Sequence, residues 1–85
     1  MATTAIKFYA DWCGPCKVYA KTWDQVTSEL KDVELLNINI ETDTTGLAAK
    51  YKVQSIPHTV VIKDGKVESK TGRLDATTLT NLILK

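Results

Sequence analysis

An α/β fold, with a mixed sheet between helices, is predicted by three features of the 85-residue sequence. Strand-like and helix-like segments follow one another in the order strand, helix, strand, short helix, strand, strand, helix, which gives a βαβ unit followed by a ββα unit. Asp64-Gly65 separates the two late strands by a dipeptide suited to a tight hairpin, so that pair is antiparallel. A hydrophobic content of 44% supplies one core, and the length leaves no room for a second, so a single domain over residues 1–85 is expected.

Ala5 to Ala10 reads as a short buried strand. From Gly14 to Lys31, Val18, Thr22, Trp23, Val26 and Leu30 recur at helical spacing and define one inward face. Val33 to Ile40 is rich in β-branched and apolar residues, with Asn37 and Asn39 alternating against Leu36, Ile38 and Ile40, and forms the second strand. Thr42 to Gly46 is a polar connection and Leu47 to Tyr51 a short helix. Thr59 to Lys63 and Lys66 to Thr71 are the arms of the hairpin. Asp75 is placed to cap a terminal helix whose inward face carries Leu79, Leu82 and Ile83.

The chemistry lies in Trp12-Cys13-Gly14-Pro15-Cys16, which holds both cysteines of the chain. A pair three residues apart at a helix start can cycle between dithiol and disulfide. Pro15 fits the first turn, where its missing N–H costs no hydrogen bond, and Gly14 allows another chain to approach the backbone. Cys13 then sits at the helix N-terminus, where unpaired N–H groups and the helix dipole favour thiolate over thiol. Cys16, one turn further in, is shielded and resolves a mixed disulfide. The alternatives are a buried structural pair or half of a metal site. Zinc needs about four ligands, and two cysteines with one histidine fall short of that, so no metal is expected. Trp12 is either a core side chain or a contact platform for partners beside the nucleophile.

Ala10 to Lys17, with the WCGPC core, is similar to the active-site segment of thioredoxins, and Ser55-Ile56-Pro57 resembles that family's cis-proline turn facing the cysteines. Lys63-Asp64-Gly65-Lys66 resembles its late hairpin, and Gly72 sits where the family has a glycine before its final helix. The resemblance runs from about Ala5 to the C-terminus. It implies a minimal, N-terminally truncated thioredoxin fold, with a four-stranded mixed sheet and no strand and helix ahead of the motif strand. It further implies that Pro57 is cis and holds the Ile56 backbone beside Cys13, where an extended substrate segment can pair by strand addition. Trp12, Gly14, Pro15, Ile56, Pro57 and Gly72 are accordingly the expected substrate-binding residues, with Cys13 and Cys16 catalytic.

Departures from the family pattern mark two redox-tuning candidates. Lys7 stands six residues before Cys13, where thioredoxins carry a buried aspartate assigned to proton transfer. A lysine in an apolar strand must reach solvent along its stem, find an acceptor or lose its proton. The matching family lysine on the next strand is replaced by Asn37. His58 replaces the threonine that commonly follows the cis-proline; it either shares a proton with the sulfurs or, by strand alternation, points away from them. Lys21 replaces a helix-kinking proline, which implies a straighter first helix.

The net charge of +1 offers no electrostatic case for nucleic acid or an anionic membrane, and no apolar run approaches ~18 residues. Met1-Ala2-Thr3-Thr4 lacks the basic and apolar regions of a signal peptide, so a reducing cytoplasm is the expected compartment. The resemblance implies a monomeric protein disulfide reductase that needs no cofactor beyond its own disulfide. Disulfide-containing proteins are its substrates, and a flavin-containing thioredoxin reductase is its electron donor. The alternatives are a glutaredoxin-like hydrogen donor dedicated to one enzyme, such as ribonucleotide reductase, and a non-catalytic binding subunit.

Overall fold

The computed structural model describes residues 3–85; Met1 and Ala2, part of the N-terminal segment considered above, lie outside the described residues. The elements are β1 (Thr3–Tyr9), α1 (Gly14–Thr27), β2 (Val33–Asn39), α2 (Leu47–Lys50), β3 (His58–Lys63), β4 (Lys66–Thr71) and α3 (Ala76–Leu84). The sheet order is β2-β1-β3-β4, with β1 parallel to β2 and antiparallel to β3, and β3 antiparallel to β4. The expected α/β architecture and four-stranded mixed sheet are therefore present.

β1 is central, and its run Ala5-Ile6-Lys7-Phe8 is buried on both faces. Ala5 faces a core built with Tyr19, Trp23 and Val26 of α1, Val61 of β3, and Leu79, Leu82 and Ile83 of α3. Ile6 and Phe8 face the opposite core with Ile38 and Val60, closed by Leu47, Ala48 and Tyr51 around α2. The edge strands carry the polar residues, and every residue of β4 is exposed, with Lys66, Glu68 and Lys70 discouraging further strand pairing.

Asp64 (φ 52°) and Gly65 (φ 81°) turn the hairpin with both central residues left-handed, the geometry that keeps the twist of the flanking strands. Asp75 caps α3 by accepting from the Thr78 N–H at 2.7 Å. α1 is unbroken past Lys21 but ends at Thr27 rather than Lys31. There the Thr27 hydroxyl bonds back to the Trp23 carbonyl at 2.7 Å, and the Glu29 and Leu30 N–H groups reach the carbonyls three residues back. Leu30 still packs on the core from beyond the helix. The inward face of α1 is also rotated from the expected one: Cys16, Tyr19, Trp23, Val26 and Thr27 are buried, whereas Val18 is 51% exposed. Tyr19 takes the inward position because its hydroxyl finds a buried partner in Thr59, which lets a large amphipathic ring enter the core.

Candidate active site

β1 delivers the chain into a turn at Asp11 and Trp12, closed by the Cys13 N–H donating to the Ala10 carbonyl at 3.2 Å. Cys13 is the N-cap of α1, and its Sγ accepts from the Cys16 N–H at 3.2 Å. Pro15 lies in the first turn, where no donor is lost. Cys13 and Cys16 are joined as a disulfide with Cα atoms 5.2 Å apart.

Both cysteines are covered in this oxidised state, Cys13 at 4% exposure and Cys16 at 3%, with Ala10, Tyr9, Ile40 and Ile56 packed around them. The shielding expected for Cys16 thus extends to Cys13. The rim is open: Trp12 is 65% exposed, Gly14 and Pro15 are exposed, and a Cβ at Gly14 would meet nothing within 4 Å. Trp12 is therefore not a core residue and presents its indole to solvent beside the disulfide.

The second wall is the Ile56-Pro57 segment, whose peptide bond is cis. The Ile56 carbonyl oxygen lies 3.9 Å from Cys13 Sγ, so a segment 43 residues downstream meets the redox pair. The Gly72 N–H donates to the Pro57 carbonyl at 2.8 Å, and Gly72 adopts φ 95°, a left-handed value that other residues rarely take. The residues expected around the cysteines, Trp12, Gly14, Pro15, Ile56, Pro57 and Gly72, are in this way linked to one surface by the motif turn and these two contacts.

The two tuning candidates separate. His58 shares the sheet face of Val60, away from α1; its ring lies against Phe8 at 6.1 Å between centroids, and Nδ1 is 2.9 Å from Thr71 Oγ1. Nε2 is buried without a partner, and burial lowers the pKa of the ring below its ordinary 6.5. Lys7 points to the α1 face, paired in register with Asn37 and Thr59, with Nζ 5.7 Å from the ring centroids of both Tyr9 and Trp23.

Sequence reading does not bring Tyr19 and Thr59 together. Their hydroxyls meet at 2.7 Å and tie the helix bearing the cysteines to the strand that follows Pro57. The available signal is that Tyr19 lies one helical turn beyond Cys16, on the same face. Among the described residues, no group of three or more His, Cys, Asp and Glu could hold a metal ion, and no helix is long and apolar enough to cross a membrane.

Comparison with known proteins agrees with this geometry. The thioredoxin family profile matches residues 2–85. A thioredoxin from Chlamydia trachomatis is 40% identical over 81 residues, an alignment covering 94% of this chain and 78% of that protein. Thioredoxin 1 of Synechococcus elongatus is 33% identical over 82 residues, covering 94% and 76%. The X-ray structure of Fasciola hepatica thioredoxin superposes with a TM-score of 0.84 at 32% identity, covering 96% of this chain and 78% of that one.

Proposed function

The chain belongs to the thioredoxin family, and from that premise we propose that it is a protein disulfide reductase in which Cys13 attacks and Cys16 resolves. Membership carries the chemistry of thiol-disulfide exchange through a redox-active pair, with disulfide-bonded proteins as substrates. The division of labour between the two sulfurs is supported above all by one observation: Cys13 Sγ is the N-cap atom of α1 and receives the Cys16 N–H. Once the disulfide is reduced, that N–H and the positive end of the helix favour a thiolate on Cys13.

A substrate segment lies across the open rim of Trp12, Gly14 and Pro15, with the Ile56 backbone, next to Pro57 and Gly72, available for strand-like pairing. The Cys13 thiolate attacks one sulfur of the substrate disulfide, forming a mixed disulfide and releasing the first substrate thiolate. Cys16 then attacks Cys13 Sγ, forming the Cys13–Cys16 bond and releasing the second. Two electrons pass from the protein to the substrate. A flavin-containing thioredoxin reductase returns them, in a reducing compartment such as the cytoplasm that keeps the pair cycling.

Trapping tests the assignment. Cys16→Ser should accumulate stable mixed disulfides with a substrate such as insulin, because the resolving thiol is gone, whereas Cys13→Ser should capture none. Capture by Cys13→Ser and not by Cys16→Ser would reverse the roles.

A further inference from the structure

The sheet ends on two unlike edges. β4 is exposed throughout and carries Lys66, Glu68 and Lys70, whereas the only charge on β2 is Glu34, whose carboxylate accepts from the Thr4 hydroxyl of its own sheet at 3.3 Å. β2 has no proline, lysine or arginine to turn away another strand. Leu35, paired with Ala5, is 37% exposed on the α1 side of the sheet, and Leu36 lies partly buried on the opposite side. The Ile40 N–H donates to the Tyr9 carbonyl at 2.9 Å, so by strand alternation Leu36 and Ile38 also direct their backbone groups to β1. The N–H and C=O groups of Leu35 and Asn37 therefore point away from β1, on the side where the sheet ends.

We propose that β2 is the edge through which two copies of this chain pair, antiparallel and about a twofold axis at Leu36. This is independent of the disulfide-reductase reading, and it departs from the monomer that the sequence resemblance implies. Antiparallel pairing about such an axis is self-complementary. Leu36 is the middle residue of Val33–Asn39, so this register pairs the whole strand with itself. Leu36 then faces its own counterpart in a non-hydrogen-bonded pair, where side chains are closest, and Leu35 of each copy exchanges N–H···O bonds with Asn37 of the other. The charges fit the same register. Glu34 falls opposite Ile38, about 13 Å along the strand from the other Glu34, which exceeds the screening length of roughly 8–10 Å. Just outside the strand, exposed Lys31 of each copy comes opposite exposed Glu41 of the other, and Asp32 comes opposite Ile40. The strands run in opposite directions and Ile40, at the end of β2, packs on its own cysteines, so the two disulfides lie at opposite ends of the joined sheet.

Pairing along one strand of 7 residues forms a small interface, so association is weak and concentration-dependent. Sedimentation equilibrium of the oxidised full chain at low salt, from about 10 μM to about 1 mM, should show the mass rising toward twice that of the chain. Both cysteines are held in one bond, so no disulfide between copies contributes. Over the same series, amide exchange should slow severalfold at Leu35 and Asn37 but not at Leu36 or Ile38, whose N–H groups already face β1. Leu35→Pro removes no bond to β1 and should stay monomeric throughout. Leu35→Lys, which charges the exposed position, should do the same, and it carries the test if the proline variant does not fold. Lys31→Glu and Glu41→Lys should each weaken pairing severalfold, and the combined swap should restore it to within about twofold. The proposal is overturned by a monomeric mass across the series, by wild-type association of folded Leu35→Pro or Leu35→Lys, or by amide protection that gathers away from β2. A swap as weak as its single variants would overturn the register.

Discussion

Removal of the Tyr19 hydroxyl should destabilise the protein at neutral pH and protect it from alkali. Tyr19 and Thr59 are both buried and share one hydrogen bond of 2.7 Å. Tyr19→Phe leaves the Thr59 hydroxyl without its partner, at a cost of about 1–3 kcal/mol, and Thr59→Val does the same to the phenol. The double variant replaces both polar groups with apolar ones of similar shape, so its loss should be well below the sum of the two single losses. The alkaline effect has the opposite sign. Burial raises the phenol from 10.0 to about 12, outweighing the hydrogen bond from Thr59, which acts to lower it. Between these values the folded protein retains a proton that the unfolded chain has lost. Stability therefore falls as pH rises from 10 to about 12, by roughly 2–3 kcal/mol across the window. Urea melts at a series of pH values measure both effects. Additive single losses would refute the pairing, and parallel alkaline decline in wild type and Tyr19→Phe would refute the buried phenol.

His58 sets a limit on the acid side. Its folded pKa lies below 6.5 because burial disfavours the imidazolium, so the unfolded chain binds the proton first and stability declines as pH falls below that value. His58→Leu should flatten this part of the profile in chemical denaturation, and an unchanged acid slope would show that His58 does not set it. Asp75→Ala should cost about 1 kcal/mol by removing the cap on the Thr78 N–H, read as a lower urea midpoint with an unaltered slope; an equal midpoint would mean that the cap is replaced by water.

Local chemistry explains which parts of the fold could be read from the sequence. Asp64-Gly65 requires a left-handed pair and Asp75 offers an oxygen to the N–H three residues on, so each feature is decided within a few residues. The rotation of α1 is different. Val18 and Tyr19 are neighbours on the helix, and hydrophobic character alone turns the valine inward. Thr59, 40 residues away, reverses the choice by satisfying the phenol. The end of α1 likewise depends on the Thr27 hydroxyl competing for the Trp23 carbonyl, while Leu30 remains useful to the core without being helical. The direction of His58 was open because alternation fixes a face only after strand register is known, and register sets it opposite Phe8 and Thr71.

The site has the same division. Cys13, Gly14, Pro15 and Cys16 carry their own geometry, since an N-cap sulfur, a first-turn proline and a one-turn separation need no distant partner. What surrounds the sulfurs is assembled from far apart: Ile56 in front, joined through Pro57 to Gly72, and Lys7 behind, enclosed by Tyr9 and Trp23. Short-range sequence can therefore identify the exchange chemistry, whereas the surroundings of the sulfurs depend on the fold. Lys7 illustrates the difference, because its position in an apolar strand identifies an anomaly and only the packing of α1 over β1 buries it, in a cavity that Cys16 also lines. A lysine at the same place on an uncovered edge strand would extend its stem into water and hold an ordinary charge. The central position of β1, paired on both sides and covered by α1, prevents that escape, so the sheet order itself buries this lysine and lowers its pKa.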